Sequence, residues 1–213
     1  GKQTVHEKYG QNSAILSGDV MQIYVYECFK HLDDSAYRQV IEVFNRSAIQ
    51  VCEGQQSDMD FETREDVKLP EYLKMIEYET AALMAGSLEI GAIAAGASKL
   101  QREQIDTFGR QLGICFQIQD DLLDTYGDPE KFGKTVGGDI MNDKKTYLQL
   151  TAIDLAKGET AERLAKLRGA DDITDEERVS GVRAIYDELN IRQLASYAME
   201  SYRNQAFETL GKI

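Results

Sequence analysis

The sequence predicts an all-α chain. Apolar residues recur at helical spacing almost throughout, and no stretch shows the strict alternation of a half-buried strand. The 213 residues hold only two prolines, Pro70 and Pro129, so little interrupts long helices. At about 150 residues per domain the length favours one domain spanning residues 1–213, large enough to bury a core without staples.

The elements follow in order. Asn12 or Ser13 is placed to cap a helix through Ile15, Leu16, Met21, Ile23 and Phe29. Asp34 or Ser35 is placed to cap the next, through Val40, Val43, Phe44 and Val51 to Asp58. Asp60 to Lys68 is charged and lacks an apolar face, which predicts a loop. Pro70 suits a first helical turn, and that helix is expected to run to about Ala97. Its Ala and Gly residues allow neighbouring helices to approach closely. Another helix is expected over Gln101 to Tyr126, ended by Gly127, Asp128 and Pro129. Gly133, Gly137 and Gly138 keep the following segment irregular, and Asp143 to Lys157 is expected to be helical up to Gly158. A short helix is read over Glu159 to Arg168. Thr174 and Glu177 form a capping box for a helix through Leu189, and Asn190 breaks the pattern before a last helix to about Leu210.

Composition narrows the function. The formal charge is −13, which disfavours binding to nucleic acid or to an anionic membrane surface. A small polyanion is compatible with it when cations bridge it to carboxylates. Three cysteines without paired spacing read as reduced thiols, and two histidines argue against Cys/His zinc chemistry. The most apolar stretch, Ala81 to Ala97, is too short for a membrane span and carries Glu89. The sequence shows no signal peptide or lipid anchor, so a cytosolic location is expected.

The Gln101–Tyr126 helix carries the chemistry. Phe108, Leu112, Ile114, Cys115, Phe116, Ile118, Leu122 and Leu123 make it apolar on most sides, which predicts burial. Gln117, Asp120, Asp121 and Asp124 nonetheless fall at i, i+3, i+4 and i+7, on one stripe. Carboxylates on a buried stripe repel one another, so they take up protons or hold a cation. Lys131, Lys134, Gly137, Gly138, Asp139, Lys144 and Lys145 follow. Lysine ammonium groups and glycine backbone N–H groups suit phosphate oxygens. The run as a whole suggests a metal-bridged diphosphate site.

At these residues the sequence resembles the trans-isoprenyl diphosphate synthases (polyprenyl synthetases). Phe116-Gln-Ile-Gln-Asp-Asp-Leu-Leu-Asp124 is similar to the family's second aspartate-rich motif. Tyr126 to Pro129, Gly133-Lys134, Gly138-Asp139-Ile140 and Lys144 match its downstream pattern. Thr4-Val5-His6, Tyr9-Gly10, Ala14-Ile-Leu-Ser-Gly-Asp19 and Glu53-Gly54-Gln55 with Asp58 resemble upstream segments. The resemblance implies a single-domain antiparallel helical bundle of the isoprenoid synthase type, cytosolic and homodimeric. It implies Mg²⁺-dependent head-to-tail joining of an allylic diphosphate to isopentenyl diphosphate, with short- or medium-chain products. By position, Asp120, Asp121 and Asp124 would hold Mg²⁺ against the allylic diphosphate, and Asp139 would support that metal. Lys134 and Lys144 would contact diphosphate, and Gln117 and Thr80 would face the developing cation. Phe116 would pack beside isopentenyl diphosphate, and Gln55 would line the pocket.

Two departures qualify these expectations. The family's first aspartate-rich motif would lie before Gly1, so the chain resembles a C-terminal portion of such an enzyme. The family's Lys-Thr pair is Glu79-Thr80 here, which reverses a charge beside the expected anion. Both departures favour a competing reading, a catalytically inactive subunit of a heteromeric prenyl synthase. A terpene cyclase of the same bundle type ranks behind it, because the Gly-Lys and Gly-Asp-Ile pattern is retained.

Overall fold

The computed structural model describes residues 3–128, 136–170 and 172–213. Among the described residues every regular element is helical. The chain begins with α1 (Val5–Tyr9) and α2 (Gln11–Phe29), the latter entered through Gly10 rather than capped by Asn12 or Ser13. No α2 residue is buried, and Ile15, Leu16, Met21 and Ile23 are exposed. Its end is held by Phe44, against which Tyr26 and Phe29 stand edge-on at 5.3 and 5.7 Å.

Helix α3 (Asp34–Thr63) is capped by Asp33, one residue before the expected position, whose Oδ1 accepts from the Ser35 and Ala36 amides. It also runs past Asp58 and takes in half of the stretch read as a loop. Phe61 explains the difference: this one apolar side chain is buried against the core, and the charged residues around it face solvent.

The helix expected over Pro70 to Ala97 divides into α4 (Leu69–Ile76), a widened π-helical turn (Glu77–Ala81) and α5 (Ala82–Ala94). Gly54 of α3 makes room for the wide turn, since a Cβ there would collide with the Glu79 backbone nitrogen. Such turns often occur at functional sites. Thr80 and Glu79 both lie on this one.

Helix α6 (Lys99–Tyr126) starts from a Ser98–Gln101 capping box and packs along α5. The approach is close: a Cβ on Gly113 would lie 2.5 Å from the Ala81 Cα. The other side of α6 lies on α11 (Ile191–Leu210), the most extensive helix pairing among the described residues.

Between them come α7 (Gly138–Met141), α8 (Tyr147–Leu155), α9 (Glu159–Gly169) and α10 (Asp175–Glu188). The α10 capping box is the predicted pair Thr174 and Glu177. Helix α8 starts four residues later than expected. Asp143 has φ 49°, a left-handed conformation that cannot lie within a right-handed helix, and Thr146 is the cap instead.

The main core gathers Tyr72, Ile76, Ile118, Leu148, Ile185, Tyr186 and Ile191 from α4, α6, α8, α10 and α11. It supports the C-terminal half of α6 from behind. No helix is long and apolar enough to cross a membrane among the described residues. Cys28 and Cys52 are exposed free thiols, and Cys115 is a buried one.

Candidate active site

The C-terminal half of α6 forms one wall of a narrow cleft of about 40 Å³. Its lining includes Gln117, Asp120 and Asp121 from α6, Glu79 from the π turn, and Asp58 from α3. Asp139 and Lys144 close it from the segment around α7. A wider groove of about 490 Å³ shares Asp58, Asp139 and Lys144 with it.

Asp121 is the most deeply set of these side chains, 3% exposed. Its Oδ2 accepts from the Tyr72 hydroxyl at 2.5 Å and from the Tyr147 amide at 2.9 Å. Its Oδ1 accepts from Gln117 Nε2 at 3.2 Å. Burial pushes its carboxyl up to about 6, against the pull of these three donors. Asp121 thereby ties α6 to α4 and to the start of α8. Gln117 is turned in the same chain of bonds, because its Oε1 accepts from Thr80 Oγ1 at 3.1 Å.

Asp124 lies one turn further on and holds α7. Its Oδ2 accepts from the Asp139 amide at 2.9 Å, and its backbone oxygen accepts from the Gly137 amide at 2.7 Å. The Asp139 side chain is thus delivered beside the α6 aspartates. Burial, followed by Asp124 and Asp121, pushes the Asp139 carboxyl up to about 7, while Lys144 opposes the shift. Partial burial works against the Lys144 ammonium, but Asp58, Asp139 and Glu79 outweigh it and hold its pKa above the ordinary lysine value. Burial and Asp58 raise the Glu79 carboxyl, and Lys144 opposes them.

Of the residues predicted from sequence, Gln117, Asp120, Asp121, Asp139 and Lys144 line one cleft, with Thr80 bonded to Gln117 and Asp124 bonded to the Asp139 backbone. Gln55 is exposed and is not part of the cleft lining. Phe116 lies outside that lining too, and is 52% exposed rather than buried as the apolar pattern of α6 suggests. Lys134, with Lys131 and Gly133, lies outside the described residues.

Sequence reasoning missed Tyr72 and the Tyr147 amide, which carry no local signal. Asp58 was visible only as part of the upstream resemblance. Glu79, noted for its reversed charge, does face the cleft.

Among the described residues, no group of three or more His, Cys, Asp or Glu side chains is arranged to enclose a metal ion. The four aspartates expected to hold one gather at one end of α6 without forming a closed cage. Their chemistry still fits Mg²⁺, a hard ion that commonly takes one or two carboxylates and completes its shell with water and substrate phosphates. Burial first, and then repulsion from Asp124 and Asp121, raise Asp139, and a divalent cation offsets the repulsion.

Comparison with known proteins bears on the family. The chain is 38% identical over 178 residues to the short chain isoprenyl diphosphate synthase of Methanocaldococcus jannaschii, spanning 83% of this chain and 54% of that protein. It is 36% identical over 217 residues to the geranylgeranyl diphosphate synthase of Sulfolobus acidocaldarius, spanning 100% of this chain and 65% of that one. The crystal structure of a geranylgeranyl pyrophosphate synthase superposes with a TM-score of 0.94 at 40% identity, covering 100% of this chain and 66% of the other. The chain therefore spans about half to two thirds of the length of these relatives. A sequence model of polyprenyl synthetase matches residues 1–189, most of the chain, and the chain belongs to the polyprenyl synthetase family.

Proposed function

We propose that the chain is the isoprenoid synthase domain, over residues 1–213, of a prenyltransferase that condenses an allylic diphosphate with isopentenyl diphosphate in a Mg²⁺-dependent head-to-tail elongation. One observation carries this reading: Asp120, Asp121, Asp139 and Lys144 meet in one cleft walled by the C-terminal half of α6. Homologues named as geranylgeranyl and short chain isoprenyl diphosphate synthases support the reaction class.

Bound Mg²⁺ would supply charge stabilisation for the leaving diphosphate. Asp120, Asp121, Asp124 and Asp139 would hold it, and the donors to Asp121 fix the wall from which Asp120 projects. Lys144 binds the diphosphate as a point charge, and Lys134 is assigned the same role by position. Gln117 and Thr80 present oxygen atoms where a carbocation develops, and the packing of α4, α6 and α8 behind them excludes water. Gln55 and Phe116 are assigned to the substrate wall by position alone.

Incubation with isopentenyl diphosphate, a series of allylic diphosphates and Mg²⁺ tests the reading. It expects an extended prenyl diphosphate, lost on chelation. Absence of product with every primer would count against it.

Glu79 favours a second reading, an inactive subunit of a heteromeric synthase, because it sets a carboxylate where the anion would lie. That reading expects no turnover from the chain alone and turnover when an active synthase chain is added. A cytosolic homodimer is part of the first reading, and sedimentation equilibrium measures the assembly.

A further inference from the structure

The geometry points to Arg168 as a positioning residue for Lys144 and Asp139, acting through the left-handed backbone of Asp143. Asp143 stands between the two cleft residues. Its conformation (φ 49°) reverses the chain after α7 and brings the Lys144 amide back to the Asp139 carbonyl at 2.9 Å. That conformation is disfavoured for residues other than glycine, though less so for aspartate than for most, and contacts to the side chain stabilise it.

Of the holding groups, Arg168 and Gln149 lie outside the cleft lining, and Lys145 is part of it. Arg168 of α9 binds the Asp143 carboxylate through two atoms, Nε to Oδ1 at 2.7 Å and Nη2 to Oδ2 at 2.9 Å. Lys145 Nζ donates to Oδ2 at 3.1 Å, and Gln149 Nε2 donates to Oδ1 at 3.0 Å. Burial works against the Asp143 charge, yet Arg168 and Lys145 hold its carboxyl below the usual carboxylate range.

Arg168 is itself fixed. Its Nη2 also meets Glu65 Oε2 at 3.1 Å, and Arg178 of α10 donates to the Leu167 and Arg168 carbonyls at 2.6 and 2.8 Å. A two-point guanidinium contact fixes the orientation of a carboxylate as well as its position. Arg168 does not line the cleft, and the partners of its guanidinium, Asp143 and Glu65, do not line it either, so its effect on the cleft passes through the turn.

The test uses the full chain with Arg168→Ala, Arg168→Lys, Asp143→Gly and the Arg168→Ala/Asp143→Gly double variant. Glycine adopts the left-handed turn without support and leaves no carboxylate unpaired. Hydrogen exchange of residues 139–146 gives a readout that needs no ligand. Arg168→Ala should exchange there about 10-fold faster at unchanged exchange in α6, Arg168→Lys should fall between, and the double variant should return close to the parent rate.

A role confined to bracing α9 or Glu65 would not be rescued by Asp143→Gly. Failure of that rescue, or unchanged exchange in Arg168→Ala, would overturn the proposal. Its consequence for ligand rests on the diphosphate reading of the cleft. Calorimetry with inorganic pyrophosphate and Mg²⁺ should show about 10-fold weaker binding in Arg168→Ala and recovery in the double variant. A parent chain that binds no pyrophosphate overturns the diphosphate reading, and the exchange data still decide the positioning role.

Discussion

Replacing Glu79 by lysine tests the electrostatics of the cleft most directly. Glu79 shares the lining with Lys144, Asp120, Asp121 and Asp139, and its carboxyl is already raised by burial and by Asp58. A diphosphate held by Lys144 would share the cleft that this side chain lines, and a separation of roughly 5–6 Å is assumed. At an effective dielectric constant of about 20–40, one charge pair at that distance is worth about 1.5–3 kcal/mol. Glu79→Lys changes the local charge by two units. Repulsion from Lys144 and screening at the open mouth offset a large part of the gain. A net improvement of about 1.4 kcal/mol corresponds to about 10-fold tighter binding.

The fold should tolerate the change, because Gly54 packs on the Glu79 backbone and not on its side chain. Isothermal titration of inorganic pyrophosphate in excess Mg²⁺ reads the effect. Glu79→Gln, which removes one charge only, should fall between the parent and Glu79→Lys. Unchanged or weaker binding in Glu79→Lys, at an unchanged melting temperature, would refute the placement of the anion beside residue 79.

Three further outcomes are expected. Asp121→Ala leaves the Tyr72 hydroxyl, the Tyr147 amide and Gln117 without their acceptor, costing about 2–4 kcal/mol. Thermal denaturation should show a fall in Tm of several degrees, whereas Asp120→Ala should leave Tm nearly unchanged and weaken Mg²⁺-dependent pyrophosphate binding. Gly113→Val drives side-chain atoms into Ala81 and forces α6 away from the π turn, which urea denaturation should register as a loss of about 1–3 kcal/mol. In the metal-free chain, the Asp139 carboxyl titrates at about 7 folded against 3.8 as an ordinary group, so the folded state keeps a proton that the unfolded state has released. Stability from this group is therefore full below about pH 4 and lost as pH rises through about 7. Asp139→Asn should flatten that part of a Tm-versus-pH curve, and an unchanged curve would show that Asp139 does not titrate there.

Much of the helical order was legible because long helices such as α3 and α6 carry their own apolar period and α10 its own capping box, whereas α1 and α7 were not foreseen. The errors have local causes. One phenylalanine, Phe61, carries α3 through a stretch whose charge pattern reads as a loop. The left-handed Asp143 delays α8 in a segment whose composition is helical. The π turn leaves no mark in the sequence, because five residues of ordinary helical composition adopt it where Gly54 lets α3 approach.

For the site, the sequence by itself determined that Gln117, Asp120, Asp121 and Asp124 share a stripe, since residues three and four apart on a helix must lie together. It also determined that lysines and glycines follow in the next segment of the chain, and that residue 79 carries the unexpected charge. Only the tertiary structure decided how the aspartates divide their work. Asp121 turns inward to three donors, Asp124 holds the backbone of Asp139, and Asp120 is left lining the cleft. It likewise decided that Asp143 is clamped by Arg168, 25 residues away in sequence. Helical periodicity is a property of neighbouring residues and can be read along the chain. Which donor meets which carboxylate depends on how α4, α8 and α9 pack around α6, and that is settled only when the whole core closes.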